Sequence, residues 1–144
     1  MKCVPNFDKL FITAMVIFAI AVNFLGSEKM NVTIETSGSL MIAYLIGELD
    51  HHSAGDVRTK IDNEISYNKP THLILDFKNI TFMDSSGIGL VMGRFRLMQS
   101  YKGTVEIRNV TAQTKKIMEL AGLGRIAVIS EESKQEFKEI KNEE

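Results

Sequence analysis

The segment from His72 to Met98 constrains the fold of this chain more than any other. His72-Leu73-Ile74-Leu75-Asp76-Phe77 is a β-rich run that follows a proline and reads as a strand. Beyond it, Ile88, Val91, Phe95 and Met98 recur at three- and four-residue steps, which places them on one face of a helix and leaves Arg94, Arg96 and Gln99 elsewhere. Asp84-Ser85-Ser86-Gly87-Ile88-Gly89 lies between the two runs, so a strand, a tight turn and a helix start are expected. Serine just ahead of an apolar-periodic run is a favoured N-cap, because its oxygen accepts from N–H groups that lack an intrahelical partner; Ser86 is the better candidate. Gly87 and Gly89 fall in the first turn, where they cost helix propensity but leave bare backbone that another molecule can approach.

The rest of the chain supplies the partners of this unit. Val32 and Ile34, then Leu40, Ile42, Tyr44 and Ile46, alternate on either side of Ser37-Gly38-Ser39, the pattern of a hairpin. Met41, Ala43 and Leu45 fill the intervening positions, so the second strand is expected inside the sheet with both faces buried. Gly47 to Ser53 reads as a loop. Ala54, Val57, Ile61 and Ile65 then give a helix of three to four turns that Asn68-Lys69-Pro70 stops. Gly103 ends the helix that begins near Ser86, and Thr104 to Arg108 reads as a strand. Thr111 caps a further helix with Ile117, Met118, Leu120 and Ala121 on its apolar face and Gly122 as its stop. Ile126 to Ile129 adds a last short strand, and the charged tail from Glu131 reads as a marginal helix.

Strand, helix, strand order implies right-handed crossovers to parallel neighbours. The expected fold is therefore α/β: a single domain with a mixed sheet of four to five strands packed with about four helices. Loops that leave the carboxyl ends of such strands carry function. The Gly47–Ser53 loop and the Asp84–Gly87 turn both leave strands in this way, so parallel strands would put them on one edge of the molecule.

On its own, a Ser-Ser-Gly at a helix start does no more than cap the helix. Asp84 reads first as an extra negative group beside a helix N-terminus. His51 and His52 are adjacent and, on a helix or strand, point apart; no third metal ligand is evident, so no metal site is assigned. His72 reads as a solvated strand end. A serine hydrolase would need a base within reach of Ser86, which only His51 or His52 offers, and the Gly-x-Ser-x-Gly elbow is lacking.

Phe82-Met83-Asp84-Ser85-Ser86-Gly87-Ile88-Gly89, with Gly93-Arg94 after it, and the separate Gly47-Glu48-Leu49-Asp50-His51-His52 together resemble the anti-sigma factor antagonists, which are small STAS domains. The sporulation branch that opposes the anti-sigma F factor is the nearer likeness, and the resemblance runs roughly from Met30 to Ser130. It implies a regulator and no catalyst. In that family the second serine of Asp-Ser-Ser-Gly, here Ser86, accepts a phosphoryl group from the anti-sigma factor, which is itself a protein kinase. The unmodified surface of Asp50, Asp84, Ser85, Ser86, Gly87 and Gly89 is expected to bind that kinase and free its sigma factor. The family further implies ATP as donor within the kinase, no cofactor in the antagonist, and a PP2C-type phosphatase that restores the hydroxyl. A general-stress paralogue is the sibling reading. The STAS domain of an anion transporter is disfavoured, since those domains follow many membrane spans.

Composition agrees. With 17 Lys+Arg against 18 Asp+Glu the net charge is -1, which provides no general pull toward nucleic acid. A single Cys3 excludes an internal disulfide. Residues 1–29 stand apart. Leu10 to Leu25 is apolar except for Thr13 and Asn23, shorter than the ~20 residues that span a bilayer, and preceded by Lys2 and Lys9. Gly26-Ser27-Glu28-Lys29 can be encoded by a purine-rich, ribosome-binding string. The expectation is thus a domain over 30–144 whose start is Met30, cytoplasmic, with residues 1–29 a misassigned extension. If those residues are translated, they would anchor the domain to the inner face of a membrane.

Overall fold

A computed structural model describes residues 12–18 and 29–132. Residues 12–18 are helical and exposed. Most of the N-terminal extension and the expected tail helix lie outside the described residues. Among the described residues no helix is long and apolar enough to cross a membrane.

Five strands form one sheet in the order β1-β2-β3-β4-β5. β1 (Asn31–Ser37) and β2 (Leu40–Leu49) are the expected antiparallel hairpin, with Gly38 at φ +59 in the turn, a conformation that disfavours any residue bearing a Cβ. α1 (Ala54–Asn68) then leads to β3 (His72–Met83), α2 (Ser85–Ser100) to β4 (Thr104–Val110), and α3 (Ala112–Leu120) to β5 (Val128–Glu131). β2 through β5 all run parallel. Because each crossover steps the same way along the sheet and such crossovers are right-handed, the three helices stack on one face.

The sheet is therefore two-sided. Met41, Leu73 and Val105 pair across the strands, as do Ala43, Leu75 and Ile107, and all six are buried on the helix side. Ala54, Val57, Ile61 and Ile65 of α1, Leu90, Val91 and Met98 of α2, and Met118 of α3 close that core. The alternate positions of β2, Leu40, Ile42, Tyr44 and Ile46, are only half-buried. The strand lies inside the sheet as expected, but only one of its faces is sealed. Polar pairs cover part of the open face: His72 Nδ1 lies 2.6 Å from Thr104 Oγ1 and its Nε2 3.2 Å from Glu106, which also accepts from Arg108 at 2.6 Å. His72 is thus a cross-strand partner, more than a solvated end.

Several boundaries move. β2 continues to Leu49 through a bulge in which Gly47 takes φ +103, so the loop shrinks to Asp50–Ser53. β3 overruns its apolar core by six residues to reach Met83, held by β2 alone after Asp76. On α3 only Met118 is buried, while Leu120 is 81% exposed. Thr111 caps that helix as expected, accepting from Thr114 N–H at 3.1 Å, and Gly122 follows it at φ +86. The last strand sits two residues later than its apolar pattern suggests.

Arg94 is the main correction to the helix faces. Its side chain is turned inward at 4% exposure and joins α2 to α1: Nε lies 2.7 Å from Asp62 Oδ1, off the line of a good hydrogen bond, while Nη2 donates to Oδ2 at 3.1 Å. Burial pushes the Asp62 carboxyl up, against the pull of Arg94, and burial likewise lowers the Arg94 guanidinium. Asp62 keeps contact with water and Arg94 does not, so the two ends of the pair are unequal. Asp62→Ala, which strands a buried cation, is expected to cost about 3 kcal/mol in urea denaturation. Arg94→Met, which leaves a partly hydrated carboxylate and restores apolar packing, should cost clearly less; the reverse order would contradict the burial argument.

Candidate functional site

The two motifs meet at the carboxyl ends of β2 and β3. Leu49 and Met83 are partners in the parallel ladder, and one residue further the Asp84 N–H donates to the Leu49 carbonyl at 3.2 Å. The expected single edge is therefore formed, because neighbouring parallel strands end at the same level.

Asp50 organises the first turn. Its Oδ1 accepts from the N–H groups of His52 and Ser53, both at 2.9 Å, while its carbonyl accepts from Ala54 N–H at 2.9 Å. Ser53 occupies the N-cap of α1 but makes no cap bond with its side chain. Its hydroxyl instead donates to the Glu48 carbonyl at 2.9 Å, which ties the turn back to β2. These bonds hold the Asp50 carboxyl below the usual carboxylate range, the Ser53 N–H contributing most. His51 and His52 are both exposed, and the turn brings their rings to 3.9 Å between centroids at a 38° tilt. Neither the helix nor the strand geometry that would separate them applies there. Among the described residues no group of three or more metal-ligating side chains converges.

Asp84, and not Ser86, is the N-cap of α2. Its backbone is extended and its Oδ1 accepts from Ser86 N–H at 2.7 Å, the bond chiefly responsible for lowering its carboxyl below the ordinary value. Asp50 opposes that shift by charge and His51 assists it. The signal was available in the sequence, since aspartate ranks with serine as a cap and sits two residues ahead of the donor. With Asp84 as the cap, neither serine side chain is needed to cap the helix. Ser85 is exposed and Ser86 half-buried, and the Ser86 hydroxyl stands beside the Asp84 carboxylate, where it helps the Ser86 N–H to hold that carboxyl low. Gly87 is buried against the Met83 side chain, with Leu49 Cδ2 3.2 Å from where a Cβ would stand, so this glycine lets α2 settle onto the ends of both strands. A Cβ on exposed Gly89 would meet nothing within 4 Å, and its bareness serves no internal packing. With no imidazole bonded to either serine, no hydrolase relay is assembled.

A family model for the STAS domain matches residues 31–136. The chain belongs to the STAS domain family. Its anti-sigma F factor antagonist relative from Paenibacillus polymyxa is 33% identical over 101 residues, 70% of this chain and 86% of that protein. Two solved structures of SpoIIAA are each 33% identical and cover 69% of this chain. The first, the anti-sigma factor antagonist in its unphosphorylated form, aligns at TM-score 0.61 over 87% of its own chain. The second, the Bacillus cell fate determinant in the phosphorylated form, aligns at 0.57 over 90%. The mixed five-stranded sheet and its helices are the α/β arrangement of this STAS family.

The cap has a pH signature. A carboxyl held below its unfolded value stabilises the fold above that value and loses the contribution as pH falls through the folded one. Asp84→Ala should therefore lower the urea midpoint by an amount that is level from neutral pH to about pH 5. The gap to wild type should close as pH falls below the ordinary aspartate value of about 3.9. A gap that widens on acidification would mean that Asp84 is not the cap.

Proposed function

We propose that this chain is an anti-anti-sigma factor of the sporulation type whose docking edge is switched by phosphorylation of Ser86. The observation that carries the reading is the juxtaposition of the half-buried Ser86, at the head of α2, with the Asp50 turn. The 33% identity to an antagonist solved in both phosphorylated and unphosphorylated forms supports it. In the unmodified state Asp50, Asp84, Ser85, Ser86, Gly87 and Gly89 bind the anti-sigma factor kinase, which then releases its sigma factor. The domain acts as ligand and substrate, not as catalyst, and it works in the cytoplasm.

Transfer is balanced as follows. The Ser86 oxygen attacks the γ-phosphorus of ATP held by the kinase, the bond to the β-phosphate oxygen breaks, ADP leaves, and the hydroxyl proton passes to a base on the kinase. A PP2C-type phosphatase reverses the modification by hydrolysis. The new group carries about -1.5 to -2 charges at neutral pH. At the head of α2 the free domain tolerates that anion through the helix macrodipole, although Asp84 already accepts from the Ser86 and Gly87 N–H groups. In the complex it must be desolvated beside Asp84 and Asp50. A hundredfold loss of affinity needs only about 2.7 kcal/mol, and burial of an imperfectly paired dianion exceeds that without any refolding.

An anti-sigma kinase supplied with ATP should add one phosphoryl group to the wild type and none to Ser86→Ala, as read by intact mass. Transfer to Ser85 would identify the other hydroxyl as the acceptor. Ser86→Asp should weaken binding to the kinase in a titration while leaving thermal stability nearly unchanged; a large loss of stability would implicate folding in place of the docking surface.

A further inference from the structure

β3 outlasts its neighbour on one side only. β4 pairs with it no further than Arg108 against Asp76, whereas β2 follows it to Met83. Asn109 turns the chain aside at φ +59 while its side-chain amide donates to Asp76 Oδ2 at 2.9 Å, and after Thr111 the chain enters α3. The other Asp76 oxygen accepts from Lys78 N–H, also at 2.9 Å. Past Lys78, no strand or side chain among the described residues bonds to this side of β3. A strand edge left in this way is a template for a further strand. Beside it runs a groove with Ile80, Phe82 and Met83 on one wall and Thr111, Gln113 and Ile117 of the α3 head on the other. Among the described residues no ionisable side chain lines it, although Asp84 stands two residues beyond Phe82. Phe82 is 53% exposed and Ile117 43%, whereas Phe77 is buried and Phe95 half-buried, so Phe82 is a large aromatic that the fold itself does not use.

We propose that this groove is a second half of the docking surface, and that it takes an extended, apolar segment of the anti-sigma factor laid along β3 where β4 has stopped. The open ladder selects a backbone in extended form, and the uncharged walls select apolar side chains on it. Continuity with Asp84 and Ser86 assigns the segment to whichever protein covers those residues. The chain's own tail suits the groove less well, since residues 133–144 carry four Glu and three Lys around Phe137 and Ile140. The proposal rests on the reading of the Ser86 edge as the partner surface and extends it. Affinity and switching then reside in different residues: the groove grips the partner through contacts that a phosphoryl group on Ser86 does not touch, and the charged edge decides whether the grip suffices.

Amide hydrogen exchange of the full chain, read by NMR with and without the anti-sigma factor kinase, tests the edge directly. The kinase is loaded with ADP, so that no phosphoryl transfer occurs. Amides of residues 80–83 that exchange freely in the free chain should slow by about tenfold or more in the complex. Phe82→Ala and Ile117→Ser, one on each wall, should each weaken the complex about tenfold in a titration. Ser86→Asp should weaken it by the same factor whether or not Phe82 is replaced, as independent contributions require. Unchanged exchange at residues 80–83, with the Asp50 turn and the head of α2 protected, would overturn the groove and leave the Ser86 edge standing. Protection already present in the free chain would show that the tail or a second copy fills the groove, and would overturn the proposal as well. Protection on binding, together with full-strength binding of Ser86→Asp, would instead sink the phosphorylation switch and keep the groove.

Discussion

The hydrogen bond from Asp84 N–H to the Leu49 carbonyl is the contact on which the site depends. It is the last rung between β2 and β3, and it sets the turn that follows one strand against the turn that follows the other. To reach that rung the strands absorb two irregularities, between Tyr44 and Ile46 and between Gly47 and Glu48. In the second of them Glu48 pairs with Phe82 and Thr81 is passed over. Gly47 accommodates the bulge with a φ of +103, which residues bearing a Cβ rarely adopt. Without these corrections the ladder would end out of step. Since a one-residue slip turns every side chain to the opposite face of a strand, Leu49 and Met83 would no longer both be available to pack at Gly87.

What was legible in the sequence follows the range of the forces involved. The hairpin, the helix from Ala54, the Thr111 cap and the parallel order rest on local periodicity and turn chemistry, and each can be read from a few neighbouring residues. The shared edge of the two motifs followed from strand direction alone. Competition between two equally suitable groups was not legible. Asp84 and Ser86 are both good caps, and the extended backbone at Asp84 decides in favour of the first. Nor did periodicity expose the overrun of β3 to Met83, since Lys78, Asn79 and Thr81 carry no apolar alternation and the strand is held there only by β2. Periodicity alone places Arg94 off the apolar face of α2; the partner that makes its burial tolerable stands on another helix, 32 residues earlier.

That pair bears on how stiff the site is. Arg94 sits eight residues after Ser86, and Asp62 eight after Ala54, so the bridge ties the two helices roughly two turns below the loops they support. The same helices bury Val57, Ile61 and Ile65 against Leu90, Val91 and Met98. With the strands paired above and the helices joined below, the Asp50 turn and the head of α2 have little freedom to move apart. The open face of the sheet has no equivalent role. Its His72, Thr104, Glu106 and Arg108 satisfy one another across β3 and β4, away from the carboxyl-end loops.

A stiff site suits a switch that works by charge. If the edge were mobile, a phosphate could be accommodated in the complex by a shift of either turn, and the energetic difference between the two states would leak away in small rearrangements. In the proposed switch the anion would stand at the head of α2, where the helix macrodipole favours it in the free domain. Asp84 stands beside it and Asp50 in the neighbouring turn, and backbone N–H groups hold both carboxyls below the ordinary aspartate value. On the proposed reading, a partner that covers this edge must desolvate three negative groups at once. On the same reading, the rigidity that would present Ser86 to a kinase is the same property that would make its phosphate hard to bury.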